Sequence, residues 1–145
     1  MARTCRVGVR VRGCTGGGRP PALARRILGA EAIVGFSTHT VPQVDCALVE
    51  PISYLAVGPV FGTRTKETGY EAVGLDLVRY AARASAEAAR STGRAPLPVV
   101  AIGGITLERA RSVIDAGATS VAVISDVLAG GDPSGRVAKF VRALG

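Results

Sequence analysis

Thr63, Thr65 and Lys66 place two hydroxyls and an ammonium on one short stretch, directly after Gly58-Pro59-Val60-Phe61-Gly62. Such a set suits an anionic ligand rich in acceptors, a phosphate or diphosphate, because hydroxyls donate and the ammonium supplies a point charge. Gly35-Phe36-Ser37-Thr38-His39-Thr40 is a second polar set. Ser37 and His39 are two apart and share a side of any extended segment. His39 is the chain's one histidine, and a neutral imidazole serves as base or donor near pH 7. Ser37, Thr38 and Thr40 are equally turn and capping types, and no nucleophile–base pair is defined here. Two more segments, Ala101-Ile102-Gly103-Gly104-Ile105-Thr106 and Val123-Ile124-Ser125-Asp126, close apolar runs. Paired glycines let backbone N–H groups approach ligand oxygens, and they serve tight turns as well. Asp126 reads as a cap of the turn that follows.

Other chemistries lack their residues. Neither GxxxxGK[ST] nor GxGxxG occurs, so nucleotide loops of those kinds are not supported. A single histidine and scattered cysteines exclude a zinc site of usual spacing, and no metal ligands are assigned.

The elements that must position these segments are short β-branched runs at Ala32–Phe36, Tyr54–Val60, Pro98–Gly103 and Ser120–Ser125. They are apolar without in/out alternation, as parallel strands covered on both faces are. Val7–Val11 is a weaker fifth candidate. Helices are predicted over Pro21–Leu28, Val41–Val49 (capped by Thr40), Leu75–Ser91, Leu107–Ala116 and Pro133–Leu144 (capped by Asp132). Apolar stripes are expected at Leu75, Val78 and Ala82; at Leu107, Ala110, Val113 and Ile114; and at Val137, Phe140, Val141 and Leu144. The alternation predicts an α/β fold with a parallel sheet, either a βα-barrel or an open doubly wound sheet. In both, the C-terminal strand ends carry the site, which is where all four polar segments fall.

The chain has 145 residues, 48% hydrophobic and 20% charged, enough for one core and too apolar for a disordered segment. No apolar run approaches the roughly 20 residues of a membrane helix, and the N-terminus lacks a signal-peptide core. The net charge of +7 is local. Seven arginines (Arg3, Arg6, Arg10, Arg12, Arg19, Arg25, Arg26) and no acid lie in residues 1–26, leaving 11 basic and 11 acidic side chains afterwards. Without interleaved aromatics or an accompanying motif, this charge predicts no nucleic-acid partner. Cys5, Cys14 and Cys46, odd in number, suggest reduced thiols and a cytoplasmic location.

Together, ARRILGAEAIVGFSTHT, YLAVGPVFGTRTKETGYEAVGLD, PVVAIGGIT and GATSVAVISDVLAGGDP resemble the thiamine phosphate synthase family, in its order and spacing, from Pro20 to Leu144. The resemblance implies a TIM-type βα-barrel of which this chain holds the C-terminal half, about four to five parallel strands with outer helices. It implies transfer of a hydroxymethylpyrimidine from its diphosphate to a thiazole phosphate, releasing diphosphate, with Mg²⁺. By resemblance, Ser37 and Lys66 hold the pyrimidine diphosphate, and Lys66 offsets charge growing on the leaving group. Thr63, Thr65, Gly104, Ile124 and Ser125 would hold the thiazole phosphate. The family's Gln-Leu-Arg-x-Lys segment and its two Asp ligands for Mg²⁺ are not identifiable here. Where the family has a Gly-Val-His-x-Gly-Gln-x-Asp-like segment, this chain reads Gly13-Cys14-Thr15-Gly16-Gly17-Gly18-Arg19.

Residues 1–19 are accordingly expected to be an unmatched basic leader arising from a frameshift or misassigned start, with 20–145 the half-barrel. Four or five strands do not close a barrel, so self-association or a missing N-terminal half is the expected partner. Alternatives are a thiazole tautomerase using His39 as acid–base residue, and a non-catalytic phosphate-binding module.

Overall fold

The computed structural model describes residues 9–12, 21–62 and 71–145. Five parallel strands form one sheet in sequential order: β1 (Val9–Arg12), β2 (Val34–Thr38), β3 (Tyr54–Val57), β4 (Val99–Ile102) and β5 (Ser120–Ala122). The crossovers carry α1 (Pro21–Leu28), α2 (Val41–Leu48), α3 (Gly74–Thr92) and α4 (Leu107–Asp115), and α5 (Ser125–Leu128) and α6 (Pro133–Leu144) follow β5. A doubly wound sheet reverses strand order at a switch point. Here the order never reverses, which decides for the barrel-type winding. β1 and β5 are the open edges of the sheet among the described residues.

Alternation along the strands separates two faces. Val34, Phe36 and Thr38 of β2 share a face with Leu55 and Val57 of β3 and Val99 and Ala101 of β4, all buried. Val44 and Ala47 of α2, Leu77, Val78 and Ala81 of α3, Ala110 and Val113 of α4, and Phe140 of α6 pack there and form the core. The opposite face carries Ser37, Tyr54, Val100 and Ile102, each half-buried. On it the Tyr54 ring lies directly over Gly35, where any Cβ would collide with it.

The helix starts follow their caps. Thr40 accepts the Gln43 N–H, and Asp132 accepts the Gly135 N–H at 2.9 Å, so two helix N-termini gain a side-chain acceptor for an orphan donor. The buried α3 stripe is Leu77, Val78, Ala81, Ser85 and Ala89; of the expected positions Val78 is fully buried, Leu75 packs against the core half-buried, and Ala82 is half-buried. α6 buries Phe140 alone, while Val137 and Val141 stay 46% and 65% exposed.

Several strand boundaries move. β2 begins at Val34 because Arg25 draws the preceding turn to itself: its guanidinium donates to the carbonyls of Ala30 (2.9 Å), Ala32 and Pro51 (3.2 Å). One of the seven N-terminal arginines is thus a structural clasp rather than a polyanion contact. β3 stops at Val57, before the cis Gly58–Pro59 bond and a proline that has no N–H for a ladder. β5 is three residues long, and Ser125 opens a short helix instead of closing a strand. The weak candidate at Val7–Val11 is a strand, shifted to Val9–Arg12 and paired with β2. Cys46, expected as a reduced thiol, is disulfide-bonded; Cys5 and Cys14 lie outside the described residues. No described helix is long and apolar enough to cross a membrane.

Candidate functional site

Parallel strands deliver their C-terminal ends to one rim, and Ser37, His39, Gly58, Gly103, Gly104 and Ile124 all sit there. Ser37 is the next-to-last residue of β2, half-buried, on the face opposite Thr38. Thr38 points into the core, where its hydroxyl donates to the Ala56 carbonyl at 3.1 Å. His39 leaves the strand and is held twice. Its N–H donates to Gln43 Oε1 at 2.7 Å, and its ring Nδ1 bonds the Gly58 carbonyl. A carbonyl only accepts, so Nδ1 carries a proton and the acceptor nitrogen of a neutral ring is Nε2. His39 therefore ties the end of β2 to the end of β3.

Beyond the β3–β4 ladder the two chains stay zipped. Val60 N–H donates to the Ile102 carbonyl at 2.9 Å and Phe61 N–H to the Gly103 carbonyl at 3.0 Å. The glycine pair is required by this contact. Gly103 (φ +99°) and Gly104 (φ +61°) both occupy left-handed backbone, and a Cβ on either would meet Pro59 or the Phe61–Gly62 backbone at 2.6–2.8 Å. The Gly103–Gly104 turn thus lies against the segment that runs straight into Thr63, Thr65 and Lys66. Those three lie outside the described residues.

On the far side of the turn, α4 starts at Leu107. Arg109, in its first turn, lays its guanidinium over the Phe61 ring, 4.9 Å from the centroid. Ile124 is 54% exposed and Ser125 is exposed at the start of α5. Next to them Asp126 forms a two-pronged ion pair with Arg136 of α6, at 2.9 and 3.0 Å, and Arg136 also reaches Glu108 at 3.3 Å. The Glu108 carboxyl sits below its ordinary range, first through a backbone N–H, then the Thr106 hydroxyl, with Arg136 adding to both. The Asp126 hydrogen bond raises the Arg136 guanidinium further. Asp126 is more than the local cap expected of it: one carboxylate joins α4, α5 and α6. Its position at a strand end was a usable sequence signal. Arg136, ten residues on, offered none.

The Mg²⁺ implied by the resemblance finds no home in this set. No three of His, Cys, Asp and Glu come together among the described residues, and Asp126 and Glu108, the carboxylates beside the glycine turn, both serve Arg136.

Comparison with known proteins agrees with the geometry. The family model described as "Thiamine monophosphate synthase" matches residues 9–127, a span that begins at β1. The thiamine-phosphate synthase of Koribacter versatilis is 44% identical over 124 residues, covering 86% of this chain and 53% of that protein. That of Arthrobacter sp. (strain FB24) is 40% identical over 139 residues, covering 86% and 58%. Among solved structures, thiamine phosphate pyrophosphorylase from Pyrococcus furiosus superimposes with a TM-score of 0.72 at 27% identity, over 95% of this chain and 61% of that one. The chain spans about half the length of these curated relatives. Their names do not favour the tautomerase alternative, and His39, its intended acid–base residue, spends Nδ1 on the Gly58 carbonyl.

Proposed function

The chain belongs to the thiamine monophosphate synthase family, and on that premise we propose that it carries the phosphate-binding half of a thiamine-phosphate-forming site. The substrates are a hydroxymethylpyrimidine diphosphate and a thiazole phosphate. The bond from the pyrimidine methylene carbon to the diphosphate oxygen breaks, and its electron pair leaves with diphosphate. The thiazole nitrogen lone pair then forms the new C–N bond. Such a reaction needs positioning and charge stabilisation more than acid–base chemistry.

The observation that carries this reading is the contact of Gly104 with the Phe61–Gly62 backbone. It joins the turn meant for the thiazole phosphate to the segment that leads to Thr63, Thr65 and Lys66. In the proposal Thr63 and Thr65 donate to the thiazole phosphate, together with the backbone at Gly104, Ile124 and Ser125. Ser37 and Lys66 hold the diphosphate, and Lys66 offsets the charge that grows on it as the bond breaks. Mg²⁺ stays in the proposal as a counter-ion of the diphosphate; the described residues supply no cluster for it, and no step is routed through it.

Among the described residues β1 and β5 are open edges, which further strands or a second copy of the chain would cover. A cytoplasmic location is part of this proposal and is supported by the small-molecule chemistry. The test is turnover. Pyrimidine diphosphate, thiazole phosphate and Mg²⁺ should give thiamine phosphate, with at least a ~100-fold loss in Lys66→Ala. A folded chain that binds thiazole phosphate but yields no product would reduce the reading to a binding module.

A further inference from the structure

The first turn of α4 is capped from a distance. Thr106 stands at the N-cap position, yet its hydroxyl makes no capping bond to the helix. The N–H of Leu107 is taken instead by Oδ2 of Asp126, 19 residues later, at 3.3 Å. The same carboxylate receives both prongs of Arg136, and these two side chains are only 15% and 26% exposed. A bidentate, partly buried pair of this kind holds geometry in a way that an exposed one does not. The consequence is a fixed relation between the Gly103–Thr106 turn and the Ile124–Ser125 turn, which no strand pairing provides: β4 ends at Ile102 and β5 at Ala122.

The strap has an electrostatic cost. Asp126 and Glu108 bring two negative charges close to a place proposed to receive a phosphate, and like charges raise the free energy of the bound anion. Arg136 touches both carboxylates. Removing it would leave the turns beside uncompensated acid.

We propose that Asp126 and Arg136 are positioning residues for the phosphate-bearing substrate, Asp126 by fixing the α4 turn against the α5 turn and Arg136 by cancelling the charge this brings. The inference rests on the phosphate reading of the two turns given above. Neither side chain touches the substrate; both act through the turns.

The test uses the ¹⁵N-labelled chain with inorganic phosphate as probe, read at the Gly104 and Ser125 amides, and hydrogen exchange at the Leu107 amide without ligand. Asp126→Ala should speed Leu107 exchange by about tenfold or more and weaken phosphate by about tenfold, with β3 amides unchanged. Arg136→Met should weaken phosphate by a similar factor, and adding Asp126→Asn to it should restore most of the loss. An ion pair that merely stabilises the fold would not show that recovery. Unchanged Leu107 exchange in Asp126→Ala, or no recovery in the double variant, overturns the strap. Native chain that binds phosphate no better than the variants also overturns it. Native chain giving no phosphate shift at either amide overturns the cradle itself, and the Leu107 exchange separates the two failures.

Discussion

Replacing Gly104 by alanine should damage both stability and the phosphate site, and Gly93 provides the control that separates the two causes. Both glycines are left-handed, at φ +61° and +69°. A Cβ in that region costs roughly 1–2 kcal/mol. Gly93, the C-cap of α3, has nothing within 4 Å of its would-be Cβ, so Gly93→Ala should cost that amount and no more. At Gly104 the Cβ would stand 2.6 Å from the Gly62 carbonyl oxygen and 2.8 Å from Phe61 Cβ and its carbonyl oxygen. Two of those three atoms are backbone and cannot swing aside, so overpacking adds about 1–3 kcal/mol. Gly104→Ala should therefore lose about 2–5 kcal/mol, and at roughly 3 °C per kcal/mol for a chain of this size it should melt ~6–15 °C lower. Urea unfolding of the two variants measures the difference, and phosphate titration of the folded proteins measures the site. Gly93→Ala should bind as the native chain does. A Gly104→Ala variant that matches Gly93→Ala in stability and keeps native phosphate affinity would contradict this, since the turn would then have room that the structure denies it.

Three further outcomes follow from contacts elsewhere. Thr38→Val keeps the shape of a fully buried side chain but loses its bond to the Ala56 carbonyl, and should cost about 1 kcal/mol in urea unfolding. Arg25→Met removes the clasp on the Ala30, Ala32 and Pro51 carbonyls and should cost about 1–3 kcal/mol, with no change in phosphate affinity. The Tyr80 hydroxyl donates to Asp45 at 2.6 Å, which raises the phenol above its ordinary value because ionisation would lose that bond. A folded-state value above the unfolded one means that any stability from this pair is whole below the unfolded-state value and is lost as pH rises through the folded-state one. Absorbance titration of the phenolate should move down in Asp45→Asn.

What the sequence disclosed followed local physics. Continuous β-branched runs located four strands, and Thr40 and Asp132 marked helix starts because capping needs only neighbours. The errors came where a distant group intervened. β2 starts two residues late because Arg25 of α1 captures the Ala30 and Ala32 carbonyls. The α6 stripe is only partly buried: Phe140 reaches the core, while Val137 and Val141 on the same face stay 46% and 65% exposed. At the site, Gly103-Gly104 was legible as a close-approach turn, yet its partner, the Phe61–Gly62 backbone, was not. His39, legible as a candidate acid–base residue, also ties two strand ends, a contact the sequence did not show. The Asp126–Arg136 strap was invisible, since it depends on three helices meeting at one carboxylate.

The proposed site for the phosphate of the thiazole substrate is built from two turns, after β4 and after β5. Amide shift mapping of the labelled chain with thiazole phosphate tests this directly. Saturable shifts are expected at Gly104, Ile124 and Ser125 that share one dissociation constant and vanish in Gly104→Ala but persist in Gly93→Ala. Shifts confined to other parts of the sheet rim, or none at a ligand concentration that saturates a full-length relative, would contradict it.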